Sequence, residues 1–371
     1  MLTKADDFPI HQTPEPIAFS GTDRNFYDRY FFNCQSADGS LFFAVAFGVY
    51  PQLGIMDAAV SVVFEDKQYV LRASRRIAGG ERMDVQVGPI SIDIVEPLYT
   101  LAVTIAPNDG PLSGKATFVA RHPAFAEPRF TRRIGARAFM DYTRLTQNGA
   151  WSGKLNVDGR TLKLSPETHL GTRDRSWGTR PVGAPDSQPP PAGSLSQFFW
   201  LWTPSNFKDA VVFLHTNDDA YGRPWNRRAR VEIFGKPERE YEHVDFGYDW
   251  IAGTRRLRGA RFTLKGCESG DEAVLSFKIR RHFYMPGIGY MHPTWGHGTD
   301  HGDLAVEHEI IDLKSVDDLA PQWMHIQGLA DAELQIAGKT RKGAGVVEQL
   351  FIGPHAPTGM TGLLDPAKTV S

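Results

Sequence analysis

Trp151-Ser152-Gly153-Lys154-Leu155-Asn156-Val157 alternates large residues with small or polar ones, and Asp158-Gly159 follows at once. A period of two puts successive side chains on opposite faces of a strand. Asp-Gly offers two positions that tolerate positive φ, the need of a type I′ turn, and residues 161–164 carry the chain back. The segment predicts a β-hairpin, and the sequence on either side reads in the same way.

Residues 41–49 (Leu-Phe-Phe-Ala-Val-Ala-Phe-Gly-Val) form a nearly continuous apolar run, the pattern of a strand buried on both faces. Residues 58–64 and 68–73 flank Glu65-Asp66-Lys67 as a second hairpin. Further strand-like runs at 91–95, 101–105 and 115–120 are broken by Pro97, by Pro107-Asn108-Asp109-Gly110 and by Pro111. Later runs lie at 197–202, 210–215, 228–234, 261–264, 273–281 and 304–313, with a closing strand at 346–352. Helical periodicity is confined to a short turn at 315–319, and no repeat is visible at the level of sequence. The expected class is therefore all-β.

A chain of 371 residues fits two domains better than one. The Pro-rich stretch 184–193 (Ala-Pro-Asp-Ser-Gln-Pro-Pro-Pro-Ala-Gly) cannot pair as a central strand and marks the boundary. The expected domains are 1–184 and 194–371. The 23 Phe, 11 Tyr, 36 Gly and 25 Pro suit barrels and sandwiches with roomy interiors.

The formal charge of −2 and the short, scattered basic clusters argue against nucleic acid as a partner. Two distant cysteines make neither a disulfide framework nor a zinc site and point to a reducing, cytoplasmic setting. Residues 1–10 lack the apolar core of a signal peptide, and the longest apolar run is too short to span a bilayer. Self-association through an exposed edge strand, as a homodimer, is a further expectation.

Three clusters could carry chemistry. In Gly171-Thr172-Arg173-Asp174-Arg175-Ser176-Trp177-Gly178-Thr179-Arg180, one Asp stands among three Arg. Asp174 is either clamped in an ion-pair network or turned into an apolar, Trp-lined cavity that raises its pKa. In Phe198-Phe199-Trp200-Leu201-Trp202 one strand face is aromatic throughout, forming either core or the wall of an apolar pocket. The following run ends in His215. The third cluster, Tyr290-Met291-His292-Pro293-Thr294-Trp295-Gly296-His297-Gly298-Thr299-Asp300-His301, is His-rich, but its glycines disfavour the helix that would align two ligands. A loop over a pocket is the simpler reading, and no metal is expected. Dinucleotide-binding and nucleophile-elbow motifs are absent.

Asp174-Arg175-Ser176-Trp177-Gly178, then Phe199-Trp200-Leu201-Trp202, then residues 211–215 ending in His215 resemble the carotenoid 1,2-hydratase and AttH-like family. That resemblance implies two lipocalin-like β-barrel or sandwich domains. It implies lyase, cyclase or isomerase chemistry on an isoprenoid or terpenoid-like alkene, without a cofactor. A carboxylic acid protonates the C=C bond, aromatic rings hold the cation, and water or an internal alkene attacks. By this resemblance Asp174 is the proton donor and His215 or His292 handles water or the final proton. Trp177, Phe199, Trp200, Trp202, Tyr290, Trp295 and His297 contact substrate. Two other classes stay open: a carrier of apolar ligands, and a metal-dependent enzyme using His292, His297 and His301. The protonation state of Asp174 separates the first from an enzyme, and a metal assay tests the second.

Overall fold

The computed structural model describes residues 2–11, 23–77, 81, 83–188 and 196–367. Residues 189–193 of the Pro-rich stretch lie outside this set. The chain forms two compact units. Unit 1 is Met1–Ser194 with Pro286–Val316, and unit 2 is Leu195–Met285 with Asp317–Ser371. The expectation of consecutive domains at 1–184 and 194–371 does not include this return of the chain to unit 1.

Unit 1 begins with β1 Phe26–Ser36, β2 Leu41–Tyr50, β3 Ile55–Phe64 and β4 Lys67–Arg76. It continues with β5 Gln86–Val87, β6 Ile90–Glu96, β7 Thr100–Ile105 and β8 Leu112–Ala120. Then come β9 Phe125–Ala126, β10 Phe130–Ile134, β11 Arg137–Val157, β12 Arg160–Leu164 and β13 His169–Thr179. Unit 2 holds β14 Phe198–Trp202, β15 Ser205–Phe207, β16 Ala210–Asp218, β17 Pro224–Ile233, β18 Arg239–Tyr241 and β19 His243–Trp250. It also holds β20 Leu257–Lys265, β21 Ala273–Tyr284, β23 Ile326–Ile336 and β24 Lys339–Ile352. The remaining strand, β22 Leu304–Asp312, belongs to unit 1.

The unit 1 sheet runs β22-β4-β3-β2-β1-β13-β11-β8-β7-β6-β5, with β9, β10 and β12 also on β11. Its neighbouring strands are antiparallel, and it curls into a nearly closed barrel. Arg75 on β4 reaches the far end of the path, with Nε donating to the Gln86 carbonyl at 2.7 Å and Nη2 to the Asp84 carbonyl at 3.0 Å. The hairpin expected over Asp158-Gly159 forms. Val157 pairs with Arg160 across Asp158 (φ 50°) and Gly159 (φ 77°). All ten positions of β2 are buried, as its apolar run requires. The helical turn expected at 315–319 is absent; those residues form turns and bends, and the nearest 3-10 turn is Pro321–Trp323.

Trp151 centres the unit 1 core. Its ring meets Phe43, Phe118 and Phe32 edge-on at 5.0, 5.4 and 5.7 Å, and its Nε1 donates to the Asn33 carbonyl at 2.9 Å. The aromatic edges supply apolar burial, and the one polar atom is paired. Unit 2 is a second antiparallel sheet, β18-β17-β16-β14-β24-β23-β21-β20-β19, over a core that includes Phe199, Leu201, Leu214, Phe262, Leu275 and Phe351. Among the described residues no helix is long and apolar enough to cross a membrane.

Candidate functional site

Opposed residues of antiparallel neighbours share a face. On the unit 1 face away from Trp151, one row runs Arg144, Ser176, Arg29, Gly48, Asp57, Ser74. The next runs Thr146, Asp174, Phe31, Ala46, Ala59, Arg72, Glu307. Charged residues thus alternate with very small ones on a face that one segment, residues 286–303, closely approaches. Gly287 lies against Ser61 and Gln68, Arg72 Nη2 donates to the Pro286 carbonyl at 3.1 Å, and Ser74 Oγ donates to the Thr299 carbonyl at 3.2 Å.

Asp57 is the central acid. Its Oδ2 accepts the Gly298 N–H at 2.7 Å and its Oδ1 accepts the Tyr50 hydroxyl at 3.1 Å. Burial pushes its pKa up to about 6, against the Gly298 hydrogen bond and the fields of Arg29 and Arg180. Two glycines make this geometry. A Cβ on Gly48 would overlap the Tyr50 phenol, and Gly298 sits at φ 75° with Leu53 and Tyr50 packed against its Cα.

His297 is held at both ring nitrogens. Nε2 lies 2.8 Å from the Ile288 carbonyl, and Nδ1 lies 3.2 Å from Arg29 Nη1 and 3.1 Å from Arg180 Nη2. Guanidinium donors select the neutral tautomer with its proton on Nε2. Tyr290 stacks under Arg29, 4.7 Å from ring centroid to guanidinium carbon, and meets His297 edge-on at 4.5 Å.

Asp57, Ser74, Arg72, Trp295, His297, Thr299 and His301 share a cavity of about 20 Å³ with Ala46, Ala59 and Ile288. On its Arg72 side, Arg72 Nη1 pairs with Glu307 at 3.1 Å and Nη2 with Glu309 at 2.6 Å, while Trp295 Nε1 also donates to Glu307. His301 stacks on Trp295 at 3.8 Å. His292, Glu307 and Glu309 come close enough to share an ion. Their donors do not fit one. His292 Nδ1 accepts the Trp295 N–H at 2.9 Å, which leaves the proton on Nε2, and Arg72 already occupies both carboxylates. Burial, then Arg72, lowers the His292 pKa, so the ring is neutral near pH 7.

Asp174 is half-buried on β13, cross-strand from Phe31 and Thr146 and within the field of Arg144, which pairs with Glu127. Arg173 and Arg175 do not clamp it. They project to the opposite face, where Arg173 binds Asp7 and Arg175 binds Asp28. Arg180 goes to His297. Trp177, three residues on, is likewise on the far face and stacks on His11 at 3.6 Å. A strand cannot put residues i and i+3 on one side, so Asp174 and Trp177 do not share a site.

Trp200, Trp202 and His215 share one face of unit 2, and Phe199 lies in its core. Trp200 Nε1 donates to Glu348 at 2.8 Å, a carboxylate also bound by His325 at 2.9 Å and Gln327 at 2.7 Å. His215 Nε2 meets Asn226, and its ring lies between Trp200 and Phe213. Asp57, Tyr50, Arg29 and Arg72 escaped the sequence reading. The available signal was a single Asp inside an otherwise apolar strand, Ile55-Met56-Asp57-Ala58-Ala59-Val60.

A family model described as a family of unknown function, DUF8625, matches residues 2–361. The chain belongs to that family. No curated protein matches it significantly in sequence. Among solved structures it is similar to a protein assigned as an AttH from Nitrosomonas europaea, with a TM-score of 0.53 and 13% identity over 92% of this chain and 97% of that one. CghA gives 0.54 and 13%, over 93% and 95%. CghA with Sch210972 gives 0.52. The resemblance to the AttH-like family therefore holds in the fold. This DUF8625 member shares two-sheet architecture with those proteins at low identity.

Proposed function

We propose that this protein is a cofactor-independent acid catalyst that hydrates or cyclises a hydrophobic small molecule bearing a C=C bond. The observation that carries the reading is the Asp57 carboxyl, buried and with its pKa pushed up to about 6, at a water-sized cavity where Ala46, Ala59, Ile288 and Trp295 meet Arg72, Ser74 and His297. A general acid works best when its pKa lies near the working pH. Crystallisation of CghA with Sch210972 supports a small-molecule ligand for this fold.

In the proposed reaction Asp57 gives its proton to an alkene carbon. The C–H bond forms from the π pair, and the adjacent carbon is left cationic. The carboxylate that remains keeps the Tyr50 and Gly298 donors already aimed at it, so no reorganisation is needed. Water then adds and gives a proton back to the Asp57 carboxylate, or an internal alkene attacks and a neighbouring C–H proton returns to Asp57, so the acid is restored on either route. Asp174, on the same face, is the alternative donor. Asp57 is preferred because burial has raised its pKa.

Buried, unbridged Cys34 and Cys267 suit a reducing compartment, so a cytoplasmic setting forms part of the proposal. The test is product analysis by mass spectrometry after feeding polyprenyl and aromatic alkenes to wild type, Asp57→Asn and Asp174→Asn. Product from wild type and Asp174→Asn, with unaltered ligand on Asp57→Asn, supports the reading. The same unaltered ligand on all three would make the protein a carrier. Loss confined to Asp174→Asn would move the acid there.

A further inference from the structure

Arg29 and Arg180 converge on one neutral acceptor, His297 Nδ1, at 3.2 and 3.1 Å. Their other contacts are the Ile288 carbonyl, at 3.4 Å from Arg29, and tyrosine rings: Tyr290 under Arg29, and Tyr27 under Arg180 at 4.6 Å. Neither guanidinium has a carboxylate within ion-pair distance among the described residues, and the Nε of each lacks a hydrogen-bond partner. Arg29 is only 2% exposed.

The other arginines of this face are treated differently. Arg72 has Glu307 and Glu309, and Arg144 has Glu127. Two adjacent cations with no counter-ion are costly to bury, and the usual remedy is a paired anion. Asp57 is the nearby acid and lies in both fields, yet it pairs with neither guanidinium and accepts instead from Tyr50 and Gly298. The same two charges would also oppose a bare carbocation beside Asp57. A substrate bringing its own negative charge removes both difficulties at once.

We infer that Arg29 and Arg180 receive an anionic oxygen of the substrate, and that the substrate is an apolar unsaturated chain ending in a carboxylate. The inference rests on the acid-catalysis reading for the purpose of binding, but not for its measurement. The carboxylate takes the place of His297 Nδ1 as acceptor of the two guanidiniums, and the charge-assisted hydrogen bonds fix one end of the molecule. Asp57, in the same cross-strand row as Arg29, then faces the neighbouring double bond.

The experiment is calorimetric titration with farnesoic acid, its methyl ester and farnesol, without turnover. Wild type is expected to bind the acid at least tenfold more tightly than the ester or the alcohol. Arg180→Gln and Arg29→Gln should each lose that preference while still binding the ester. If Arg29→Gln does not fold, as judged by its melting curve, Arg180→Gln carries the test alone. Asp57→Asn should keep the preference, so failure of acid catalysis and failure of anion recognition give different results. Equal affinity for acid and ester in wild type, binding of none of the three, or an unchanged preference in the folded arginine variants would overturn the inference.

Discussion

Tyr50 reaches Asp57 because residue 48 is glycine: the phenol lies over the Gly48 Cα and its hydroxyl donates to Asp57 Oδ1 at 3.1 Å. A methyl group at position 48 must displace a fully buried ring. Gly48→Ala is expected to cost about 1–3 kcal/mol, the usual range for overpacking. It should also raise the Asp57 pKa further, because the Tyr50 hydrogen bond favours the charged carboxylate. Urea denaturation and carboxyl-carbon NMR titration measure the two effects. An unchanged titration would mean that the phenol does not govern the acid.

Asp57 should also set a pH dependence of stability. Its native pKa of about 6 lies above the ordinary 3.8. Its contribution is therefore fully present below about pH 4 and is lost as pH rises through 6, by about 3 kcal/mol in all. Asp57→Asn has no such loss. Relative to wild type it should gain stability steadily between pH 4 and 6.5, as followed by urea unfolding across that range. Parallel curves would place the titrating acid elsewhere. Turnover by wild type should fall about tenfold per pH unit above 6.

The inner face of β13 anchors the start of the chain. Arg173 grips Asp7, and the Asp7 carboxylate also takes the Leu98 N–H. Burial opposes charge on Asp28, but Arg175 and His11 hold its carboxyl below the usual range. Removing one partner strands a buried charge, so Asp7→Ala should lose about 3–5 kcal/mol. Arg173→Met combined with Asp7→Leu should recover much of it. A double-mutant cycle in urea decides this, and additive losses would show that the two residues are not coupled.

In unit 2, Glu348 gathers three donors. Burial opposes its charge, but His325, Gln327 and Trp200 hold its pKa below the usual carboxylate value. The stability it contributes is present at neutral pH and is lost as pH falls into the carboxylate range. Glu348→Leu should cost about 3 kcal/mol by leaving the Trp200 and Gln327 donors unmet. Trp200 fluorescence, measured in the same unfolding series, should change with it.

Much of the fold was legible because strand signals are local. Asp158-Gly159 announced its own turn, and the ten apolar residues of β2 announced burial on both faces. The site was less legible. Asp174 drew attention through its arginine neighbours, yet Arg173 and Arg175 serve Asp7 and Asp28 on the other side of the sheet. The three-residue spacing to Trp177 already contained that answer.

The sequence by itself determined the strands, their turns and which residues alternate to which side, since these depend on neighbours a few positions apart. Tertiary structure alone decided the chemistry of Asp57. Its donors come from Tyr50 and from Gly298, 241 positions along the chain. Its cationic neighbours arrive from β1 and from the end of β13. A pKa sums desolvation, charge and hydrogen bonding over everything within a few ångströms, and only long-range pairing decides what those neighbours are.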